Sequence, residues 1–181
     1  MNGLAAPLEF SRPISLDAVG GENRTPRAIS ASPEECEALA RRLGLQGLAD
    51  FSAEMMVEWI AADEIFVRGR VVAAVVQTCV VTLEPVPNHV DEPFEAQFTT
   101  RPELETADRI VGPDDEDPPE SLSDGVLDIG ELATQQLALA LDPWPRLEES
   151  AVPEAFAPDP ARDGPFAVLA ALRAKKADEA G

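Results

Sequence analysis

The sequence is poor in the residue types on which catalytic and metal sites depend. It has no tyrosine, one histidine and two cysteines among its 181 residues. A structural zinc site takes about four Cys or His ligands, which Cys36, Cys79 and His89 do not supply. A catalytic Ser or Cys needs a base beside it, so a Cys79–His89 dyad is the one nucleophilic arrangement left open. The sequence otherwise predicts no enzyme activity, no metal and no cofactor.

Positively charged residues are scarce as well. The 14 Lys and Arg residues stand against 34 Asp and Glu residues, which gives a formal net charge of -20. Proteins bind nucleic acid without sequence preference by placing cations on phosphates, so we expect no strong direct binding to naked RNA. The charge favours a basic protein as partner, because electrostatic attraction speeds such encounters. Acidity that serves only solubility is the alternative.

Long apolar runs are also missing. No run approaches the ~20 apolar residues of a membrane-spanning helix. The N-terminal residues lack the basic start and the apolar stretch of a secretion signal, and two distant cysteines do not make a disulfide framework. We therefore expect a cytoplasmic protein with no membrane partner.

Among the patterns that are present, residues 32–44 carry a full set of helix signals. Ser32 fits the N-cap, Pro33 the first helical position and Glu35 the reciprocal position of a capping box. Gly44 fits the C-terminal stop. One apolar face follows at helical spacing: Cys36, Leu39, Ala40 and Leu43. We expect Cys36 to be a core residue and not a ligand.

Apolar residues at every second position predict strands in much of the first hundred residues. The segments are 8–16, as a short strand pair or one strand bent at Pro13, then 51–59 and 90–98. In 64–86, β-branched residues occupy both faces and predict one or two more deeply buried strands. Gly69 predicts a bulge or a tight bend, and residues 20–31 predict a turn-rich loop. Sequential strands with short turns predict an α+β fold. Its antiparallel sheet, open or barrel-like, has a helix before the main strands and a capping helix after them.

Residues 113–124 predict an exposed, acidic, Pro-rich loop. The pair Pro118-Pro119 breaks the order of oxygen ligands that a calcium loop requires, so the loop predicts no metal site. It supplies instead four candidate contacts for a basic partner: Asp114, Asp115, Glu116 and Asp117.

Residues 128–141 predict a second helix. Asp128 fits its N-cap with Glu131 as the reciprocal partner, and two prolines end the helix on either side of Trp144. Its apolar face is wider than a surface helix needs, so we expect it to close the sheet. The polar edge, with Trp144, is a candidate partner surface made of Asp128, Glu131, Gln135, Gln136 and Trp144. Capping is the alternative role for the two acids, and the one we favour.

Residues 1–145 are predicted to form one domain. Residues 146–181 begin as a linker and end in a short amphipathic helix that includes "PFAVLAALR". Whether this helix packs on the domain or serves a partner is left open by the sequence.

The order of these features resembles one known family. "VVAAVVQTCVVTLEPV" is followed by "PFEAQF", an acidic gap and "DIGELATQQLALALDPWP", an order that resembles the YceD family of large ribosomal RNA subunit accumulation proteins. Cys79 fits the first Cys of the family's C-x-x-C-L pattern, while Thr82 stands at the second. The family's zinc-type Cys pairs are therefore not matched in this chain.

The resemblance implies a ribosome biogenesis factor. It would promote accumulation of large-subunit (23S) ribosomal RNA and assembly of the large subunit, without catalysis. The implied partner is a large-subunit ribosomal precursor or a basic ribosomal protein. The alternative is an acidic chaperone dedicated to one small basic ribosomal protein, with the loop 113–124 mimicking phosphate.

Overall fold

A computed structural model describes residues 8–19, 24–101, 119–122 and 124–147. All of them belong to the first of two units, which ends at Leu147. The predicted C-terminal helix lies outside the described residues, and the division of the chain after Pro145 stays a prediction.

The described residues form strands, two α-helices and one 3-10 turn. In chain order these are β1 (Pro13–Ser15), the 3-10 turn (Leu16–Ala18), β2 (Arg24–Ser30), α1 (Pro33–Leu43), β3 (Gly47–Trp59), β4 (Glu64–Thr78), β5 (Pro85–Thr99), β6 (Glu120–Ser121), β7 (Val126–Asp128) and α2 (Ile129–Ala140). One helix precedes the long strands and one follows them, which confirms the predicted α+β class.

The main sheet has the strand order β2-β3-β4-β5-β6. Strands β3, β4 and β5 pair antiparallel as sequential neighbours, as predicted. β2 pairs antiparallel with β3, and the short β6 pairs parallel with the end of β5. β1 and β7 form a separate antiparallel pair. Over the residues that the structure describes, the sheet is open at β2 and β6 and does not close into the barrel-like form.

One face of the main sheet, called here the inner face, carries the core. Alternate side chains of β3, β4 and β5 are buried on it because successive strand residues point to opposite faces. Both helices add buried side chains to the same cluster, so α2 closes the sheet as expected. The largest fully buried apolar side chains are Phe10, Leu39, Phe51, Val57, Ile65, Val67, Val71, Val75, Ile129 and Leu137.

Gly69 is required by packing and not by a bulge. It pairs with Met55 and with Phe94 without a shift of register. A Cβ at this position would lie 2.8 Å from Met55 Cβ and 2.8 Å from a ring carbon of Phe94. The predicted bulge is therefore wrong at this position. The register shift occurs instead in β3, between Ala49 and Ser52.

Two predicted loops contain strands. The segment 20–31 contains β2, which pairs with β3 from Arg24 to Ser30. Its turn-forming residues led to the prediction of a loop. Pro26 is tolerated in the strand because β2 is an edge strand. The acidic segment 113–124 contains β6. Conversely, residues 8–16 hold only the short β1, and Leu16 begins the 3-10 turn.

α1 has the predicted boundaries and caps. Ser32 Oγ accepts a hydrogen bond from the Glu35 N–H at 3.3 Å, and the Glu35 carboxylate accepts one from the Ser32 N–H at 2.8 Å. Gly44 follows in the left-handed conformation, with φ 67°, where glycine carries no steric cost. Cys36 is buried in the core, as expected.

Candidate functional site

Asp128 holds the start of α2 and ties it to a distant segment. Its carboxylate accepts hydrogen bonds from the N–H groups of Gly130 and Glu131 at 3.0 and 3.1 Å, which confirms the predicted N-cap. It also accepts bonds from Ser11 Oγ at 2.5 Å and from the Arg12 N–H at 2.8 Å. Burial raises the pKa of Asp128, but the four hydrogen bonds together outweigh it and leave this pKa below its ordinary value.

Glu131 pairs with α1 and not with the N-cap. Its carboxylate accepts two hydrogen bonds from the Arg42 guanidinium, at 2.6 and 2.7 Å. Arg42 also contacts Glu9 at 3.2 Å. The bonds from Arg42 lower the pKa of Glu131, and the same bonds raise the pKa of Arg42. Glu131 is thus the counter-ion of α1, whereas the sequence predicted it as the reciprocal member of a capping box.

The segment Phe10–Arg12 joins the starts of the two helices. The buried Phe10 ring packs against Phe51 with ring centroids 5.4 Å apart. The Arg12 guanidinium lies 4.5 Å above the Phe10 ring and pairs with Glu35 at 2.9 Å. The Phe10 carbonyl oxygen lies so close to α2 that a Cβ on Gly130 would come within 2.2 Å of it. Only glycine fits at this contact.

The other predicted contact residues are only partly brought together. Gln135 Nε2 donates to Glu131 Oε1 at 3.3 Å, so these two share one edge of α2. Gln136 is half-buried in a small cavity that it shares with Pro93. Trp144 lies beyond the end of the helix. Partner contact by these residues stays a prediction, and the four acids of the loop lie outside the described residues: Asp114, Asp115, Glu116 and Asp117.

A tight turn between β4 and β5 exposes apolar side chains that the sequence did not single out. The turn is closed by hydrogen bonds from the Cys79 N–H to the Glu84 carbonyl at 2.9 Å and from the Leu83 N–H to the Cys79 carbonyl at 3.0 Å. Leu83 has a φ of 63°, a left-handed conformation that costs a residue with a Cβ ~1–2 kcal/mol. Its side chain is nonetheless 74% exposed, and that of Val80 is 44% exposed.

This turn is bonded to the segment that follows α2. The Val80 N–H donates to the Pro145 carbonyl at 2.9 Å, and Gln77 Nε2 donates to the Asp142 carbonyl at 2.8 Å. Trp144, which is 70% exposed, stands between the two contacts in the sequence. The exposed apolar residues of these two bonded segments, Val80, Leu83 and Trp144, are called here the apolar platform. The sequence signals were an apolar turn, "VVTLEP", and a tryptophan between prolines.

The structure does not assemble the Cys79–His89 dyad. Ala74 pairs with His89 and Thr78 with Pro85, so four residue steps, or roughly 13 Å, separate the two levels of the hairpin. His89 is exposed, whereas Cys79 is fully buried. Hydrogen bonds from Thr82, joined by the backbone of Leu147 and Val81, lower the pKa of Cys79 to about 6 although burial raises it.

A groove of about 1030 Å³ lies on the outer face of the sheet, across β2, β3, β4 and β5. It is mixed in charge and does not form a dense positive surface, since Arg70 is also paired with Asp91. Its charged lining residues are Arg27, Glu54, Arg68, Arg70 and Glu95.

The described ranges 8–19, 24–101, 119–122 and 124–147 contain neither a metal-binding cluster nor a membrane-spanning helix. No three His, Cys, Asp or Glu side chains gather there at distances suited to a metal ion. No helix in those ranges has the length and apolar character needed to cross a membrane.

Comparison with known proteins gives one match. Residues 67–173, more than half of the chain, match the family described as large ribosomal RNA subunit accumulation protein YceD. Neither the curated proteins nor the solved structures yield a significant match. The matched range includes β4 from Val67 onward, β5, α2 and the apolar platform. It agrees with the order of motifs that carried the resemblance, and the chain therefore belongs to the YceD family of large ribosomal RNA subunit accumulation proteins.

Proposed function

We propose that this protein promotes assembly of the large ribosomal subunit by binding a basic protein component of the precursor, without catalysing a reaction. The observation that carries the proposal is the family match over residues 67–173. Binding of this kind raises the amount of ribosomal RNA indirectly, because RNA that is packed with its proteins is shielded from nucleases.

The charge of the chain supports a protein partner over naked RNA. A net charge of -20 repels a phosphate polymer and attracts a cationic protein. On the outer face, the groove is lined by glutamates as well as arginines, and Arg70 is paired with Asp91. A basic ribosomal protein satisfies both the charge and the family's association with the large subunit.

Affinity purification of the full chain from cells, with and without nuclease, tests the proposal. We expect recovery of large-subunit precursor before nuclease treatment, and retention of one or a few basic large-subunit proteins after it. Sedimentation of cell extracts is the second measurement, with the protein expected in precursor fractions of the large subunit. Recovery of small-subunit particles alone, or loss of every ribosomal protein with the RNA, contradicts the proposal.

Direct RNA binding is the companion test. At physiological salt we expect weak binding of the purified protein to protein-free large-subunit RNA, because few counterions are released on contact. A tight complex whose affinity falls steeply with salt means that RNA, and not a basic protein, is the partner.

A dedicated chaperone for one free basic ribosomal protein is the second candidate. The acidic run Asp114–Asp117 favours it, because closely spaced carboxylates resemble the phosphates that such a protein binds in the subunit. Deletion of residues 113–118 is expected to abolish binding of the free protein and to leave the unfolding transition unchanged. A partner found only in precursor particles, and bound equally well after the deletion, excludes the chaperone.

Substitution of Cys79, the nucleophile of the dyad considered from the sequence, tests whether the protein acts without catalysis. Cys79→Ala is expected to leave ribosomal RNA levels in cells unchanged when it replaces the wild-type chain. A fall in those levels with an intact fold would instead support a chemical role for the thiol.

A further inference from the structure

We infer that the apolar platform, Val80, Leu83 and Trp144, is the surface that docks an apolar side chain of the basic partner. The inference rests on the proposed function and adds to it the place of contact and the chemistry of the contacting segment. That segment is a cationic stretch of polypeptide that presents at least one large apolar residue.

Exposure and strain coincide at the platform. Leu83 keeps a large apolar side chain 74% exposed in a left-handed backbone conformation, where glycine or asparagine carries less strain. Strained residues of this kind cluster at ligand-binding sites. Trp144 is 70% exposed on the segment to which this turn is hydrogen-bonded, and exposed apolar residues, tryptophan among them, are typical of binding surfaces.

The platform is held in place before any partner arrives. The Val80 N–H to Pro145 carbonyl bond of 2.9 Å fixes one side of it to the other. The Trp144 N–H donates to Asp142 Oδ1 at 2.9 Å, and the two prolines around Trp144 restrict its backbone. A preorganised surface loses less entropy on binding. The surface therefore fits a specific contact better than an incidental one.

Charge decides between the possible occupants. A second copy of the chain would bring -20 against -20, and nucleic acid would bring phosphates against the same charge. A basic polypeptide is favoured both by apolar burial and by electrostatic attraction, because its apolar residue covers the platform and its cations are attracted to the negatively charged protein. Glu84 adjoins Leu83 in the sequence, and Asp142 and Arg146 each lie two residues from Trp144. The occupant is therefore a basic protein segment.

Variants of the full-length chain test the inference against RNA-free large-subunit ribosomal proteins extracted from purified subunits. We expect Trp144→Ala and Leu83→Gly each to weaken retention of the bound protein by about tenfold or more, as truncation of an interface anchor does. Leu83→Gly also relieves the backbone strain, so its urea midpoint is expected to equal or exceed that of the wild type. Loss of binding without loss of stability is the signature of a contact surface.

Ile60→Ala is the matched control. Ile60 is an exposed apolar residue, 51% accessible, in the turn at the opposite end of β4, about 45 Å away along the strand. Its substitution is expected to leave binding unchanged. In a Trp59→Phe background, Trp144 is the sole tryptophan, and a blue shift of its emission on adding the retained protein gives an independent measure of its burial.

The outcomes separate the inference from the function on which it rests. Unchanged binding by Trp144→Ala and Leu83→Gly overturns the platform and leaves the proposed function standing. Failure of the wild type to retain any of the large-subunit proteins overturns both. Self-association of the wild type that Trp144→Ala removes, seen by light scattering, identifies a second copy as the occupant and overturns the inference. Binding of protein-free RNA that the same variant abolishes also overturns it.

Discussion

The two helices of this protein begin in different ways. α1 begins at a capping box that Ser32 and Glu35 close within a single turn of the chain. α2 begins at Asp128, whose carboxylate caps its own first turn and also binds Ser11 and Arg12, more than a hundred residues earlier. The cap of α1 is mainly local, whereas the cap of α2 is also a joint between distant parts of the fold.

The difference shows how the two halves of the chain depend on each other. Ser11 and Arg12 lie outside the family match, which begins at residue 67. The same unmatched part supplies β1, β2, α1 and β3, and with them ten of the 22 buried residues of the core cluster. The matched residues therefore share their core with the unmatched part, and the start of α2 is held partly by Ser11 and Arg12. Substitutions at the two helix starts separate local stability from this joint.

Gly130→Ala is expected to have the largest effect. Alanine favours a helix over glycine by about 1 kcal/mol, but its Cβ would lie 2.2 Å from the Phe10 carbonyl oxygen, a backbone atom. We expect a net loss of about 3 kcal/mol or more in the free energy of unfolding, measured by urea denaturation. Glu34 holds the same second position in α1 and is exposed. Glu34→Ala, the matched control, should change stability by less than ~0.5 kcal/mol.

An equally stable Gly130→Ala protein means that the Phe10–Arg12 segment does not lie fixed against α2. The two helices would then no longer differ in how they begin, because local contacts would fix the first turn of each. A large loss in both variants would point instead to a general sensitivity of helix starts.

Asp128→Ala against Ser32→Ala is the next comparison. Ser32→Ala removes a local cap, which costs about 1 kcal/mol. Asp128→Ala removes a cap and also leaves the Arg12 N–H and the Ser11 hydroxyl without their acceptor, so we expect on the order of 3 kcal/mol. Protection of α2 and β1 amides from hydrogen exchange should fall together in Asp128→Ala only. Equal losses in the two variants would contradict a tertiary role for Asp128.

Both ends of α1 could be predicted from the sequence because every signal for them lies within one short segment. Ser32, Glu35 and Gly44 specify the start and the stop without help from elsewhere. At α2 the N-cap was predicted, since Asp128 binds its own first turn. The partner of Glu131 was not, because Arg42 lies 89 residues away and only the packing of α1 beside α2 brings the two together. Glu131 fits a capping box by its local position, but in the fold its carboxylate binds the Arg42 guanidinium instead.

The residues of the candidate site also divide into one that a local sequence signal indicates and two that only the fold reveals. Trp144 was singled out from its two proline neighbours, a local signal. Val80 and Leu83 were not, because the β-branched residues on both faces of this segment continue through "VVTL" and predict a strand. The turn is closed by its own hydrogen bonds between Cys79 and Glu84 and between Leu83 and Cys79, and the Val80–Pro145 hydrogen bond joins it to a segment far away in the sequence. The apolar platform therefore becomes visible only when the segment after α2 is placed beside the β4–β5 turn.

The smallest expected effect is a pH dependence that belongs to the joint. The pKa of Asp128 is depressed in the folded protein, so its contribution is complete above its unfolded pKa of about 3.9 and is lost as pH falls through the lower folded value. Asp128→Asn keeps a hydrogen-bond acceptor but cannot titrate. The stability difference between wild type and Asp128→Asn should therefore be constant from neutral pH to about 5 and shrink below about 4. Ile60→Ala, which removes no titrating contact, should keep a constant difference throughout. If the Asp128→Asn difference stays constant to the acid transition, the carboxylate is held by its shape and not by its charge, and the cap of α2 then resembles the neutral cap of α1.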